Sequence, residues 1–112
     1  MSSSASAGAL PQGTLDLLVL KTLASGARHG YAVARWIEET TDDVLRVEEG
    51  SLYPALHRME RRGWIRARWT ESDLGKDIKV YELTAAGRGE LRARTAQWGH
   101  LTHAVAKILR AR

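Results

Sequence analysis

The stretch from Gly50 to Ile65, GSLYPALHRMERRGWI, constrains the fold of this chain more than any other. Read as a helix beginning at Ser51, it puts Leu52, Leu56 and Met59 on one stripe at the spacing of a half-buried helix. Pro54, His57, Arg58 and Arg61 fall on the other side. Ser51 is the expected N-cap, and Pro54 falls in the first turn, where its missing N–H would have had no intrahelical partner. Gly63 ends the helix. The basic face leads directly into Trp64-Ile65-Arg66-Ala67-Arg68-Trp69, whose alternation is that of a strand. A helix with one packed and one cationic face is therefore followed at once by a basic hairpin, and the remaining chain must supply the core beneath both.

A chain of 112 residues holds one domain, whose core stands more easily if a second copy covers one flank. Cysteine is absent, which excludes disulfides and thiolate metal sites. His29, His57, His100 and His103 lack the spacing of a zinc site, and His100 and His103, three apart on an expected helix, read as solvent-facing; no metal or other cofactor is expected. No apolar run approaches the roughly 20 residues that cross a bilayer, and residues 1–10 lack the basic start and apolar centre of a secretory signal. The expected location is the cytoplasm, with no membrane partner. The formal charge is only +4, but its signs are segregated: six acids meet two arginines from Arg35 to Gly50, and seven bases meet four acids from Ser51 to Lys79. Such asymmetry aims one surface at a polyanion and keeps another away from it.

Residues 1–10 are small, polar and aperiodic and are expected to form a flexible N-terminal arm. Beyond Pro11 and Gly13, Leu15, Leu18, Val19 and Leu23, with Leu17 and Leu20 beside them, describe a helix apolar over most of its circumference that closes near Ser25-Gly26. It needs cover on two sides, one from the core and one from a second subunit. His29-Gly30-Tyr31 opens the next helix, with Tyr31, Val33, Ala34 and Ile37 facing inward and Arg35, Glu38 and Glu39 outward. Gly30 is expected to let two backbones approach closely. After Asp43, Val44 to Val47 reads as a short connection able to pair as a third, edge strand. Past the helix that Gly63 closes, Ile65, Ala67 and Trp69 alternate with Arg66 and Arg68. A loop from Thr70 to Asp77 follows, and then a second strand from Ile78 to Leu83 with Tyr81 and Leu83 inward. Thr84 caps the last helix, on which Leu91, Trp98 and Val105 recur every seven residues with Leu101 and Ile108 between them, an a/d seam interrupted at Arg94. Gly87, Gly89 and Gly99 weaken this helix, so packing must hold it. The expected fold is mainly α with a small β-hairpin: a winged helix-turn-helix over residues 11–83 and a C-terminal dimerisation helix over 84–112.

Several separated motifs, Gln12-Gly13-Thr14-Leu15-Asp16, His29-Gly30-Tyr31, the run from Val47 to Arg58, Gly63-Trp64-Ile65 and the run from Tyr81 to Arg88, resemble in order the PadR-type transcriptional regulators. Within them the chain is similar to the short acidobacterial-type class with a single C-terminal helix. The similarity runs from about Leu10 into the last helix. It implies a cytosolic, dimeric repressor that binds double-stranded DNA, typically at a promoter near its own gene. At matching positions it implies DNA contacts from Ser51, Tyr53 and Pro54 at the start of the recognition helix. Tyr31 matches too, and reads equally as a phosphate contact or a core tyrosine. Helical geometry adds His57, Arg58 and Arg61, and the hairpin adds backbone contacts from Arg66, Arg68, Lys76 and Lys79. The tip from Glu71 to Asp77 is nearly neutral, less basic than in many relatives, so little minor-groove insertion is expected. Some PadR-type regulators bind planar aromatic compounds between the C-terminal helices and the core, which makes Trp98 a candidate stacking surface for an inducer of unknown identity. Its plainer reading is a dimer anchor.

The expected homodimer interface comprises Leu91, Trp98, Leu101, Val105 and Ile108, with Leu15 and Leu18 of the first helix and the arm packing across it. An enzyme is not expected, because Ser51, His57 and the carboxylates show no nucleophile, base and orienting group at workable spacing. The alternative is a winged-helix module that binds a protein. A docking face of that kind should carry large apolar anchors, where this one carries His57, Arg58 and Arg61. A twofold dimer with its recognition helices on one side should bind an inverted repeat with half-site centres about 34 Å apart. The acidic run from Glu38 to Glu49 should then point away from the duplex.

Overall fold

The computed structural model of the chain describes residues 10–112, so the arm expected over residues 1–10 lies outside the described residues except for Leu10, which packs against the core. Four helices and three strands follow in the order α1 (Gln12–Ala24), β1 (Arg28–His29), α2 (Gly30–Thr40), α3 (Glu49–Arg61), β2 (Ile65–Glu71), β3 (Asp77–Leu83) and α4 (Ala85–Arg110). The sheet is antiparallel throughout, in the order β1-β3-β2, with Ile65 opposite Leu83 and Glu71 opposite Asp77. This is a winged helix followed by one long C-terminal helix.

The core sits where the apolar stripes converge. Leu15, Val19, Leu20 and Leu23 of α1 meet Val33 and Ile37 of α2 and Leu52, Ala55, Leu56 and Met59 of α3, and Ile65, Tyr81 and Leu83 close it from the sheet. The stripe Leu52, Leu56, Met59 is therefore buried as its spacing predicts. Helix α3 starts two residues earlier than expected: Glu48 is the N-cap, and its carbonyl accepts from Ser51 N at 3.0 Å and Leu52 N at 2.9 Å. Ser51 is thus inside the first turn rather than capping it, and Pro54 lies in the second turn, where it has no N–H to give Gly50. The early start follows from an anchor just upstream, where Val47 N donates to the Glu38 carboxylate at 2.9 Å. At the other end Gly63, with φ +77°, closes α3 in a Schellman arrangement in which Trp64 N reaches the Met59 carbonyl at 3.0 Å.

The third strand is β1, not Val44 to Val47. Leu45 N donates to Thr41 Oγ1, Val47 N to Glu38 and Val44 N to the Thr41 carbonyl, so three of the four amides that a strand would offer are already taken. Glu38 consequently faces into the structure rather than outward, with Arg46 beside it at 3.6 Å. Tyr31 is 59% exposed, because the buried face of α2 is the i, i+3, i+7 set Gly30, Val33 and Ile37, and Tyr31 lies about 100° from it. The hairpin strands are longer than their apolar alternation suggests, leaving only residues 72–76 as the tip. They outrun the core, so Trp69 is exposed although its phase matches Ile65 and Ala67.

Thr84 caps α4 as expected: its hydroxyl accepts from Gly87 N at 3.0 Å, and it also lies 2.6 Å from the Gly63 carbonyl, to which it donates. Gly87 seats the helix, since a Cβ there would stand 2.0 Å from the Trp64 carbonyl oxygen. Gly87→Ala is expected to push the start of α4 away from the Trp64 turn and to cost at least about 1–3 kcal/mol, the range for overpacking, in urea unfolding. A midpoint equal to wild type would mean that α4 is not seated there.

Candidate nucleic-acid interface

The outer face of α3 carries most of the residues that the sequence singles out on this helix. Ser51, Tyr53, Pro54, His57 and Arg61 are all solvent-exposed. Tyr53, Pro54, His57, Arg58 and Arg61 border an open hollow of about 480 Å³, Arg58 as its most buried member. A second hollow of about 430 Å³ continues across the start of α2 to the sheet, bordered by His29, Tyr31, Tyr53, His57, Lys79 and Tyr81. Four side chains distant in sequence, Tyr31, Tyr53, His57 and Lys79, thus share one surface. Gly30 makes this possible in a way the sequence did not show: a Cβ there would lie 2.8 Å from the Tyr53 ring, so the close approach is backbone to aromatic side chain, not backbone to backbone. His29 was not singled out for this surface. Its Nδ1 accepts from Ala32 N at 3.3 Å as the cap of α2, which in the neutral ring leaves Nε2 as a donor, and its ring stacks on Tyr31. The His-Gly-Tyr motif carried that signal.

The arginines divide. Arg61 is exposed and makes no ion pair among the described residues. Arg58 is turned inward, 18% exposed, with Nη2 2.5 Å from Oδ1 of Asp16, a carboxylate of α1 that is 1% exposed. The expectation that Arg58 stands free on the outer face is thereby corrected. A buried carboxylate needs a cationic partner, and Asp16, read only as part of a motif, lies on the side of α1 facing α3. Arg66 and Arg68 both reach Glu82, at 2.8 and 3.2 Å. Their hydrogen bonds, Arg66 first, hold the Glu82 carboxyl below its ordinary value. The wing arginines remain exposed but share one negative charge. Lys79 lies over the Tyr81 ring at 5.4 Å with Glu60 at 3.8 Å, and Lys76 stands exposed at the hairpin tip.

Helix α4 carries the second surface. Trp98, Leu101, Val105 and Ile108 form an exposed stripe, with Trp98 45% and Leu101 54% exposed. Leu91 is half-buried against the chain's own core, as is Leu18, and Leu15 is 3% exposed. Leu15 is therefore removed from the expected dimer surface, because the core of its own chain already covers it. Beside Trp98, a groove of about 260 Å³ runs between α4 and the start of α1, lined by Pro11, Thr14, Leu17, Arg94, Trp98 and Leu101 among others. Among the described residues no helix is long and apolar enough to cross a membrane.

A polar, partly cationic third helix and an apolar stripe on an appended fourth place the chain in the class of winged helix-turn-helix proteins. Residues 19–93 match the transcriptional regulator PadR-like family. Solved structures agree. A PadR family transcriptional regulator from Eggerthella lenta is 33% identical, with TM-score 0.76 over 90% of this chain and 86% of that one. A PadR-like transcriptional regulator from Bacillus cereus is 27% identical, with TM-score 0.78 over 90% and 96%. A transcriptional regulator from Clostridium thermocellum is 26% identical, with TM-score 0.79 over 86% and 93%. The chain belongs to the PadR-like family, a family of transcriptional regulators rather than enzymes.

Proposed function

We propose that this PadR-like regulator is a cytoplasmic repressor that binds double-stranded DNA as a homodimer on an inverted-repeat operator. The observation that carries this reading is the outer face of α3, where Tyr53, Pro54, His57, Arg58 and Arg61 surround an open hollow that adjoins Tyr31 and Lys79. That face lacks the cluster of large aliphatic anchors a protein-docking groove needs. Ser51, Tyr53 and His57 enter the major groove and read base edges, while Arg61, Lys79, Lys76 and the Tyr31 hydroxyl bind phosphate. Arg66 and Arg68 contribute less than free arginines would, because Glu82 already offsets part of their charge. Arg58 borders the same hollow, but its pairing with Asp16 leaves it less free for phosphate than Arg61. The α4 stripe pairs with its copy. Trp98 is the central anchor of that pairing, and its groove is where a planar inducer would stack.

Binding measured against salt tests the assignment. Arg61→Ala is expected to weaken cognate and random DNA alike and to lower the slope of log K against log salt by roughly 0.9, one phosphate's worth. His57→Ala is expected to cost about 1–3 kcal/mol on the cognate site and little on random DNA, as a lost base contact does. An unchanged salt slope for Arg61→Ala would remove α3 from the phosphate interface. Equal losses on both DNAs for His57→Ala would reduce His57 to a positioning contact.

A further inference from the structure

We propose that Asp16 is a positioning residue that fixes the recognition helix relative to the dimerisation helix, and so sets the separation of the two recognition helices in the dimer. The inference rests on the dimer in the function proposed above, but not on DNA binding. Asp16 projects from α1 into the space between α3 and α4 and engages both. Its Oδ1 meets Arg58 Nη2 of α3 at 2.5 Å, and its Oδ2 faces Arg94 Nη1 of α4 at 3.9 Å. Arg94 is itself held in place: Nε donates to Glu90 at 2.7 Å, and the guanidinium lies 5.0 Å from the centre of the Trp64 ring, just past the end of α3.

Two further features distinguish this triad from an incidental ion pair. Arg94 occupies the position that interrupts the a/d seam of α4, so a cation replaces an apolar residue where helix pairing alone would favour the latter. Among the described residues, Arg58 Nε is buried with no hydrogen-bond partner. A buried ion pair with an orphaned donor is a poor device for stability, since an apolar pair of similar volume does as well or better, whereas ionic contacts of this kind can specify one arrangement among several. Two helices that must keep a fixed angle are joined through one carboxylate. An occupant of the groove beside Trp98, which Arg94 also lines, would act on the same joint.

The chain has no cysteine, so Arg61→Cys gives a unique site for a spin label on the exposed face of α3. Electron–electron distance measurement on the full-length dimer then reads the separation of the two recognition helices without DNA. The parent is expected to give one narrow distribution. Asp16→Leu with Arg58→Met, which removes the pair without stranding a charge, is expected to keep the urea midpoint and the sedimentation of the parent. Its mean distance should nevertheless shift by at least ~2 Å, the scale of helix shifts at subunit interfaces, or its distribution should broaden by as much. Arg94→Met, which leaves Asp16 and Arg58 paired, should produce a smaller change of the same kind and covers the case in which the double variant does not fold. Distributions identical to the parent in a folded, dimeric variant would overturn the inference. Absence of any dipolar signal in the parent, with monomeric sedimentation, would instead overturn the dimer reading and this inference with it.

Discussion

Leu101→Glu is expected to yield a folded monomer that no longer binds its operator with useful affinity. Leu101 lies in the middle of the α4 stripe and is more than half exposed, so the substitution leaves the subunit's own core intact. In the dimer it would place two carboxylates near the twofold axis in an apolar seam. Each apolar side chain there contributes up to about 1.5–3 kcal/mol on full burial, and an unpaired buried charge costs more than one such contact returns. Losing the dimer also loses the avidity of two linked half-site contacts, so affinity for the inverted repeat should fall on the order of 100-fold or more. Sedimentation should show the monomer, and circular dichroism should match wild type. A dimer that persists at micromolar concentration would move the interface off this stripe.

The second large effect is on stability. Asp16→Ala leaves the Arg58 guanidinium largely buried without its partner. Breaking a buried pair on one side costs 3–5 kcal/mol in general, and because Arg58 keeps some access to solvent the lower end, about 3 kcal/mol, is expected in urea unfolding. Arg58→Ala should cost a comparable amount, since it strands a carboxylate that is 1% exposed with only the longer contact to Arg94. A loss below about 0.5 kcal/mol for either variant would be surface behaviour and would contradict the buried pairing.

Leu101 on one hand, and Arg58 and Asp16 on the other, mark where the sequence is legible and where it is not. Leu101 could be assigned to α4 and to its exposed stripe because a seven-residue recurrence needs no tertiary context to be read. The same holds for the buried stripe of α3, the closing turn at Gly63 and the cap at Thr84, all of which are local. Arg58 and Asp16 could not be paired in advance, because they are far apart in the chain and helical spacing places Arg58 beside Arg61 without saying which arginine meets a carboxylate from another helix. Helical spacing puts Tyr31 in phase with Ala34 and Ile37 and so inward, but the buried set begins instead at Gly30, whose burial no hydrophobicity pattern registers, and Tyr31 is left exposed, as its alternative reading as a surface contact requires. The third strand was misplaced for a related reason. Val44 to Val47 has strand composition, but Thr41 and Glu38 take its amides, while Arg28–His29, only two residues long, has no pattern to read.

The role of the α3 face is tested most directly by footprinting the promoter next to the gene at ~0.1 M salt, where charges more than roughly 10 Å apart are screened and non-specific attraction is weak. A dimer presenting two α3 helices should protect two short half-sites related by a twofold axis, with centres about 34 Å apart and a weakly specified centre between them. Protection of a single asymmetric site, or no protection at that salt, would contradict it.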